Sequence, residues 1–305
     1  MKIGYYPGCS LSSTGREYNE SLQVIAPLLG VTLQEIDDWN CCGASSAHAT
    51  NHQLSLALAA RNLALAEKQA MPEVLAPCAA CYNRLASARH ALAKDTRAFE
   101  KTREVLERPE FSNSVRVKTS VEWLRDLAPV IQKKAEETAS RSATSPSVTS
   151  PSVKGLKVAC YYGCLLVRPP EVTQWPTQWD DPEDPSTMET VVRATGAEPV
   201  RWNKRLDCCG AGFSLSRLDS VARLGREILQ DAKNSGAEAL VVACPLCHVN
   251  LDFRQQAIAR KAGAEFDLPV FYITELVGLA LGASPAQLGL NRHYVRTDSV
   301  LERSP

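Results

Sequence analysis

Residues 238–250 read EALVVACPLCHVN. The apolar run 239–243 is short and valine-rich, as a strand buried on both faces of a sheet would be. It runs straight into a C-x-x-C, where Pro245 removes a backbone donor as strand gives way to loop. The same sentence is written at 72–83, PEVLAPCAACYN, with Pro77 beside the first cysteine. A strand carrying two thiols at its carboxyl end points to a parallel sheet with a ligand site along that edge.

Working outward, the two stretches belong to a longer repeat. KIGYYPGCSL at 2–11 is echoed by KVACYYGCLL at 157–166, and DDWNCCGASS at 37–46 by RLDCCGAGFS at 205–214. Each Cys-Cys pair is followed by a segment of helical periodicity, LSLALAARNLALAEKQA at 54–70 and SVARLGREILQDAKNSGA at 220–237. Each half then closes on one more strand leading into a helix, VRVKTSVEWL at 115–124 and LPVFYITEL at 268–276. Alternating strands and helices define an α/β fold. The expectation is two tandem, pseudo-symmetric Rossmann-like domains, each with a parallel sheet and its cysteine motifs at the carboxyl ends of the strands.

Between the halves, residues 137–155 (ETASRSATSPSVTSPSVKG) are rich in Ser, Thr and Pro and offer no core. The expected division is a first domain at 1–136, a linker at 137–155 and a second domain at 156–305. A chain of 305 residues has room for two hydrophobic cores without disulfide staples. The 34 basic residues balance the 34 acidic ones, so nothing indicates a nucleic-acid binder. The opening MKIGYYPGCS enters a strand with no apolar signal run, and no segment approaches the roughly 20 apolar residues of a membrane span, so a cytoplasmic protein is expected. The nearest approach is VFYITELVGLALG at 270–282, and ITELVGLALG at 273–282 is the one candidate for an amphipathic surface helix.

In a reducing compartment eleven cysteines read as metal ligands or redox groups rather than structural disulfides. Ten fall into matched quintets: Cys9, Cys41, Cys42, Cys78 and Cys81, then Cys164, Cys208, Cys209, Cys244 and Cys247. A closed zinc site is satisfied by four ligands and leaves a fifth thiol idle. Adjacent cysteines suit several irons better than one small ion, so five soft thiolates favour an iron–sulfur cluster. The compact C-x-x-C-x-x-C run of ordinary cubane sites is absent, which points to an unusual cluster. Gly8, Gly43, Gly163 and Gly210 each adjoin a cysteine where a side chain would crowd such a group. Cys160 lies inside the strand LKVACYY and reads as a buried, inert thiol.

These motifs resemble those of the heterodisulfide reductase family, specifically its B subunits with their tandem cysteine-rich CCG domains. The similarity extends to YYPGCS, DWNCCGA, APCAACY, YYGCLLVRPPEV, DDPEDPSTM and VVACPLCHVNLDFRQ, and covers nearly the whole chain outside the linker. The resemblance implies two noncubane 4Fe–4S clusters, one on each quintet. It implies an oxidoreductase acting on sulfur groups, which cleaves a disulfide, or oxidises thiols in reverse, by two one-electron transfers. Its partners would be a ferredoxin-like subunit with two cubane clusters and a flavoprotein subunit, with any membrane association made through partners. Paired domains of the same kind also occur in a type of succinate dehydrogenase, so an electron-transfer or anchoring subunit of a quinone-linked complex is the alternative. No Gly-rich phosphate loop appears, so no nucleotide cofactor is expected on the chain itself.

Other candidates carry less. His48 and His248 lie near cysteine loops and are weighed as proton donors. The basic loop RWNKR at 201–205 is weighed as an anion site against a plain solvated loop. The proline- and tryptophan-rich insertion at 167–187 is expected to form an ordered cover.

Overall fold

A computed structural model describes residues 1–44, 47–144 and 152–302. Two four-stranded sheets, one in each half, account for the repeat. The first contains β1 (Lys2–Tyr5), β2 (Thr32–Glu35), β3 (Glu73–Leu75) and β4 (Arg116–Lys118) in the order β2-β1-β3-β4. The second contains β5 (Lys157–Tyr161), β6 (Glu198–Pro199), β7 (Ala239–Val242) and β8 (Val270–Tyr272) in the order β6-β5-β7-β8. Every pairing is parallel, with Gly4 opposite Val74 in one sheet and Cys160 opposite Val241 in the other. The expected α/β fold with two similar halves is therefore present.

Burial differs between the strands, and between the two edge strands β8 and β2. The central β7 and its neighbour β8 are buried throughout, as strands covered by helices on both faces must be. The edge strand β2 has no fully buried residue. The order 2-1-3-4 also creates a switch point, because the chain leaves β1 for one side of the sheet and returns on the other to form β3. Ligands of such sheets collect outside the carboxyl ends of the strands at that point. In both halves the cysteine loops follow the first three strands.

The helices follow the periodic segments. His52–Lys68 starts at Asn51, whose side chain accepts a hydrogen bond from Leu54 N at 2.9 Å. It packs on helix Ala79–Lys94, and its Ala59, Ala60 and Ala66 are buried. Leu218–Asn234 is the counterpart in the second half. The segment weighed as a surface amphipath behaves otherwise: helix Ile273–Ala280 is buried from Ile273 to Leu279, so it is a core helix. Among the described residues no helix is long and apolar enough to cross a membrane. The stretch read as a linker begins as helix, since Ala128–Thr144 runs into it, and residues 145–151 lie outside the described residues.

Compact packing does not divide the chain at its midpoint. One unit comprises Met1–Cys9, Val31–Trp123 and Leu165–Pro185. The other comprises Ser10–Gly30, Leu124–Cys164 and Ser186–Pro305. In each half the chain leaves its unit immediately after the first cysteine of the quintet, at Ser10 and at Leu165.

The insertion shows what such a transfer does. Helix Pro170–Thr173 and the turn after it belong to the first unit, where Thr173 O accepts from Tyr82 Oη at 2.6 Å and Trp179 Nε1 at 2.9 Å. Asn83 Nδ2 donates to Arg168 O at 3.0 Å, and Trp175 lies under the Arg89 guanidinium and against His90. The segment packs on the helix carrying Cys81.

Candidate metal centres

The three loops of each half bring their cysteines together. In the first unit Cys42 Sγ lies 3.5 Å from Cys81 Sγ, and Cys41 Sγ lies 3.9 Å from Cys9 Sγ. In the second, Cys209 Sγ lies 3.5 Å from Cys247 Sγ. Hydrogen-bonded thiol contacts also join Cys81 to Cys78, Cys247 to Cys244 and Cys164 to Cys208. Cys78 and Cys244 are the N-cap residues of helices Ala79–Lys94 and Pro245–Leu251, so each C-x-x-C closes over a helix start. None of the eleven cysteines is in a disulfide.

Both sites are deep on one side and open on the other. Cys42, Cys78, Cys81, Cys209, Cys244 and Cys247 are buried. Cys9, Cys41 and Cys208 are exposed and Cys164 is half-buried. The open side is thus built in both units from the first cysteine and the leading member of the Cys-Cys pair.

Thiols in contact share protons unequally. The hydrogen bond from Cys81 pulls Cys42 down to about 7 against the effect of burial, and the hydrogen bond from Cys164 pulls Cys208 down to about 6. Their partners move the other way: hydrogen bonding to Cys42 and Cys78, then burial, raises Cys81, and the bond to Cys208 with burial raises Cys164. In each site one thiol is thus biased toward the thiolate, the form that ligates metal. A backbone amide assists Cys208, with Gly210 N 3.3 Å from its Sγ, whereas at Cys41 the Gly43 amide, 3.5 Å away, only opposes the burial that raises that thiol.

Among the described residues no three Cys, His, Asp or Glu side chains close on a single point, as the ligands of one ion would. The sulfurs come instead as a contacting trio and a contacting pair in each unit: Cys42–Cys81–Cys78 with Cys9–Cys41, and Cys209–Cys247–Cys244 with Cys164–Cys208. A cluster with several irons fits such a donor set, because different thiolates can take different irons. The lining fits too: an alanine Cβ at Gly8 would lie 2.8 Å from Cys81 Sγ, and one at Gly163 would lie 3.3 Å from Cys247 Sγ. Both glycines have positive φ, +67° and +66°, which only glycine adopts freely.

Tyr6 and Tyr161 are site residues that the motifs do not reveal. Tyr6 Oη donates to Asn40 O at 2.8 Å, and Tyr161 Oη donates to Asp207 O at 2.6 Å. Asn40 and Asp207 immediately precede the Cys-Cys pairs, so each tyrosine ties the first cysteine loop to the second. Both rings lie within the field of four cysteines of their site. A signal is present in the sequence, since each tyrosine stands three residues before the first cysteine.

Cys160 is separate from these groups. It is fully buried in β5, and burial raises its thiol well above the ordinary range. Cys160→Ser should leave the metal content of the purified protein unchanged; loss of half the iron in that variant would show that Cys160 is a ligand.

The remaining candidates resolve plainly. In RWNKR, Lys204 Nζ pairs with Asp207 at 2.8 Å, Arg205 lies 3.8 Å from Glu189, and Trp202 is buried with its Nε1 on Cys160 O at 3.0 Å. Lys204 and Arg205 are thus matched with carboxylates, while Arg201 is exposed. His248 is buried, with Nε2 3.0 Å from Val270 O and its ring stacked on Tyr272. His48 lies in helix Ala47–Thr50, and its side chain is outside the described residues.

Duplicated parallel α/β units, each gathering five thiols at the carboxyl edge of its sheet, define a class of paired cysteine-site proteins. The cysteine-rich CCG domain model matches residues 3–86 and 158–252, and the chain belongs to that family. It is 35% identical over 306 residues to the 8-methylmenaquinol:fumarate reductase membrane anchor subunit of Wolinella succinogenes, covering 96% of this chain and 97% of that one. It is 29% identical over 308 residues to the B subunit of the ferredoxin:CoB-CoM heterodisulfide reductase of Methanosarcina mazei, covering 99% of this chain and 96% of that one. A protein of Archaeoglobus profundus described as like the heterodisulfide reductase B subunit is 26% identical, over 94% of this chain and 93% of its own. Among solved structures, a hypothetical protein from Helicobacter pylori superposes with a TM-score of 0.70 at 11% identity. This chain is covered to 97% and spans about half, 52%, of that structure, a likeness of fold alone.

Proposed function

We propose that the chain is an iron–sulfur subunit of a multi-subunit reductase, with a 4Fe–4S cluster of the noncubane kind on each quintet. Cys9, Cys41, Cys42, Cys78 and Cys81 would hold the first, and Cys164, Cys208, Cys209, Cys244 and Cys247 the second. The observation that carries this reading is the duplication of one sulfur geometry, with Cys42–Cys81 and Cys209–Cys247 both at 3.5 Å. A cluster carries one electron at a time, whereas cleaving a disulfide takes two, so a matched pair of one-electron sites suits a two-electron substrate. In this reading the substrate is a disulfide, or two thiols in the reverse direction. The exposed Cys9, Cys41 and Cys208 leave each site open for its approach. The electrons come from partner subunits, a ferredoxin-like protein and a flavoprotein, and the chain works on the cytoplasmic side.

A second reading is favoured by the 35% identity to a quinol-linked membrane anchor subunit. The chain would then pass electrons between partner subunits and a quinone pool, associating with the membrane through its complex. One experiment separates the two. Anaerobically purified protein is assayed for iron and acid-labile sulfide, and its electron paramagnetic resonance spectrum is recorded with added thiols and with a short-chain quinol. The first reading expects about eight irons and a spectrum changed by thiols. A response to quinol alone would replace it with the second, and protein binding only a single zinc per half would discard both.

A further inference from the structure

The two sites are alike in their sulfurs and unlike behind their C-x-x-C turns. In the first unit the residue after Cys81 is Tyr82, whose hydroxyl is engaged with Thr173 O and Trp179 Nε1. The buried acid that acts on Tyr82, Glu122, is ion-paired with Arg116. In the second unit the residue after Cys247 is His248, and behind it lies a buried carboxylate, Glu17, whose nearest basic group among the described residues is the His248 ring itself.

Glu17 comes from helix Arg16–Leu28, which starts against the second C-x-x-C turn: a Cβ on Gly15 would lie 2.8 Å from Pro245 Cβ. Its Oε1 lies 3.3 Å from Tyr272 Oη and 4.0 Å from His248 Nδ1. His248 Nε2 faces a carbonyl and must donate to it, so Nδ1 turns a bare lone pair towards Glu17. The other groups facing Glu17 are Glu275, Arg292 and His293. His293 is bound to Glu275 at 3.0 Å, and its Nδ1 is buried without a partner. Glu17 and His248 are also walls of a cavity of about 190 Å³ whose other lining includes Ser13, Asp252 and the exposed Tyr294. Glu17 is thus a carboxylate one side chain removed from the second cysteine site, with its own passage to water.

We infer that Glu17 is the proton-exchange group of the second site: through this cavity it takes a proton from water when the group held by Cys164, Cys208, Cys209, Cys244 and Cys247 is reduced, and returns it on oxidation. The inference rests on the iron–sulfur reading above and holds for either substrate, since disulfide and quinone both take up protons with their electrons. One electron arrives from a one-electron donor, the partner protein or dithionite, and one proton comes from solvent. A negative charge added beside a carboxylate in a low-dielectric interior favours the protonated form, which also agrees with burial raising Glu17 above the usual carboxylate range. The first site, where the acid acting on Tyr82 is tied to Arg116, serves as an internal control.

The test is a dithionite titration of the loaded protein followed by electron paramagnetic resonance between pH 6 and 9, with the second site's signal assigned as the one lost in Cys209→Ser. The second signal should shift its reduction equilibrium about tenfold per pH unit, which is about 59 mV, while the first stays flat. Glu17→Gln should flatten the second signal at unchanged iron content, and Glu17→Asp should keep the slope. In the unmodified protein an indicator dye should report about one proton taken up per two electrons. Two pH-independent signals, or a slope that survives in Glu17→Gln, would overturn the inference and leave the clusters standing; a preparation without iron would instead overturn the reading on which it rests.

Discussion

Cys209→Ser should purify with about half the iron and acid-labile sulfide of the unmodified chain, falling from about eight irons to about four. Cys209 is 2% exposed, and its sulfur is in contact with Cys247, so a serine there puts a hard, poorly ligating oxygen at the floor of the cup. Cys42→Ser should do the same to the first site, where the corresponding contact is with Cys81. Because the two quintets share no residue and lie in different compact units, the losses should add, and the double variant should hold almost no iron. The surviving site in each single variant should keep its own resonance signal. Full iron in either single variant would remove that cysteine from its quintet.

Gly8→Ala should also empty the first site, although it leaves every thiol in place. The substituted residue would sit at φ +67°, at a cost of about 1 kcal/mol for leaving glycine's allowed region, with its Cβ 2.8 Å from Cys81 Sγ. The sulfur belongs to the first turn of helix Ala79–Lys94, and turning it away would break its contacts with Cys42 and Cys78. Gly163→Ala is the matched comparison: φ is +66° and the clearance to Cys247 Sγ is 3.3 Å. The backbone penalty is the same and the steric one is smaller, so Gly163→Ala should retain most of its iron with a lowered melting temperature. Iron analysis and thermal melts of the two variants side by side decide the point. Equal iron in both would show that the cup does not depend on this close approach.

The sheet-forming runs and their thiols are legible in the sequence because both signals are local. ALVVA before a C-x-x-C declares a buried strand and its carboxyl end within a dozen residues, and the two halves repeat the same succession of elements. Cys160 is legible for the same reason, since it falls at a mid-strand position opposite Val241. What the sequence does not disclose depends on packing between distant segments. Nothing in PPEVTQW states that its carbonyls will receive Tyr82, nearly a hundred positions earlier in the chain. Glu17 reads as a solvated charge in the first turn of a helix, and only the fold places it beside His248 and Tyr272. Tyr6 and Tyr161 are an intermediate case, visible in the repeat but silent about role until their hydroxyls are seen to hold the Asn40 and Asp207 carbonyls.

The departure of the chain from its unit after Cys9 and again after Cys164 bears on how such a protein can be inherited. Severed between its halves, the chain would give two fragments, each missing segments that complete its own compact unit: 165–185 from one, 10–30 and 124–144 from the other. The duplicated halves are therefore not modules that recombination can deal out singly. The pairing of the two cysteine sites is thus written into the path of the backbone as well as into the repeat.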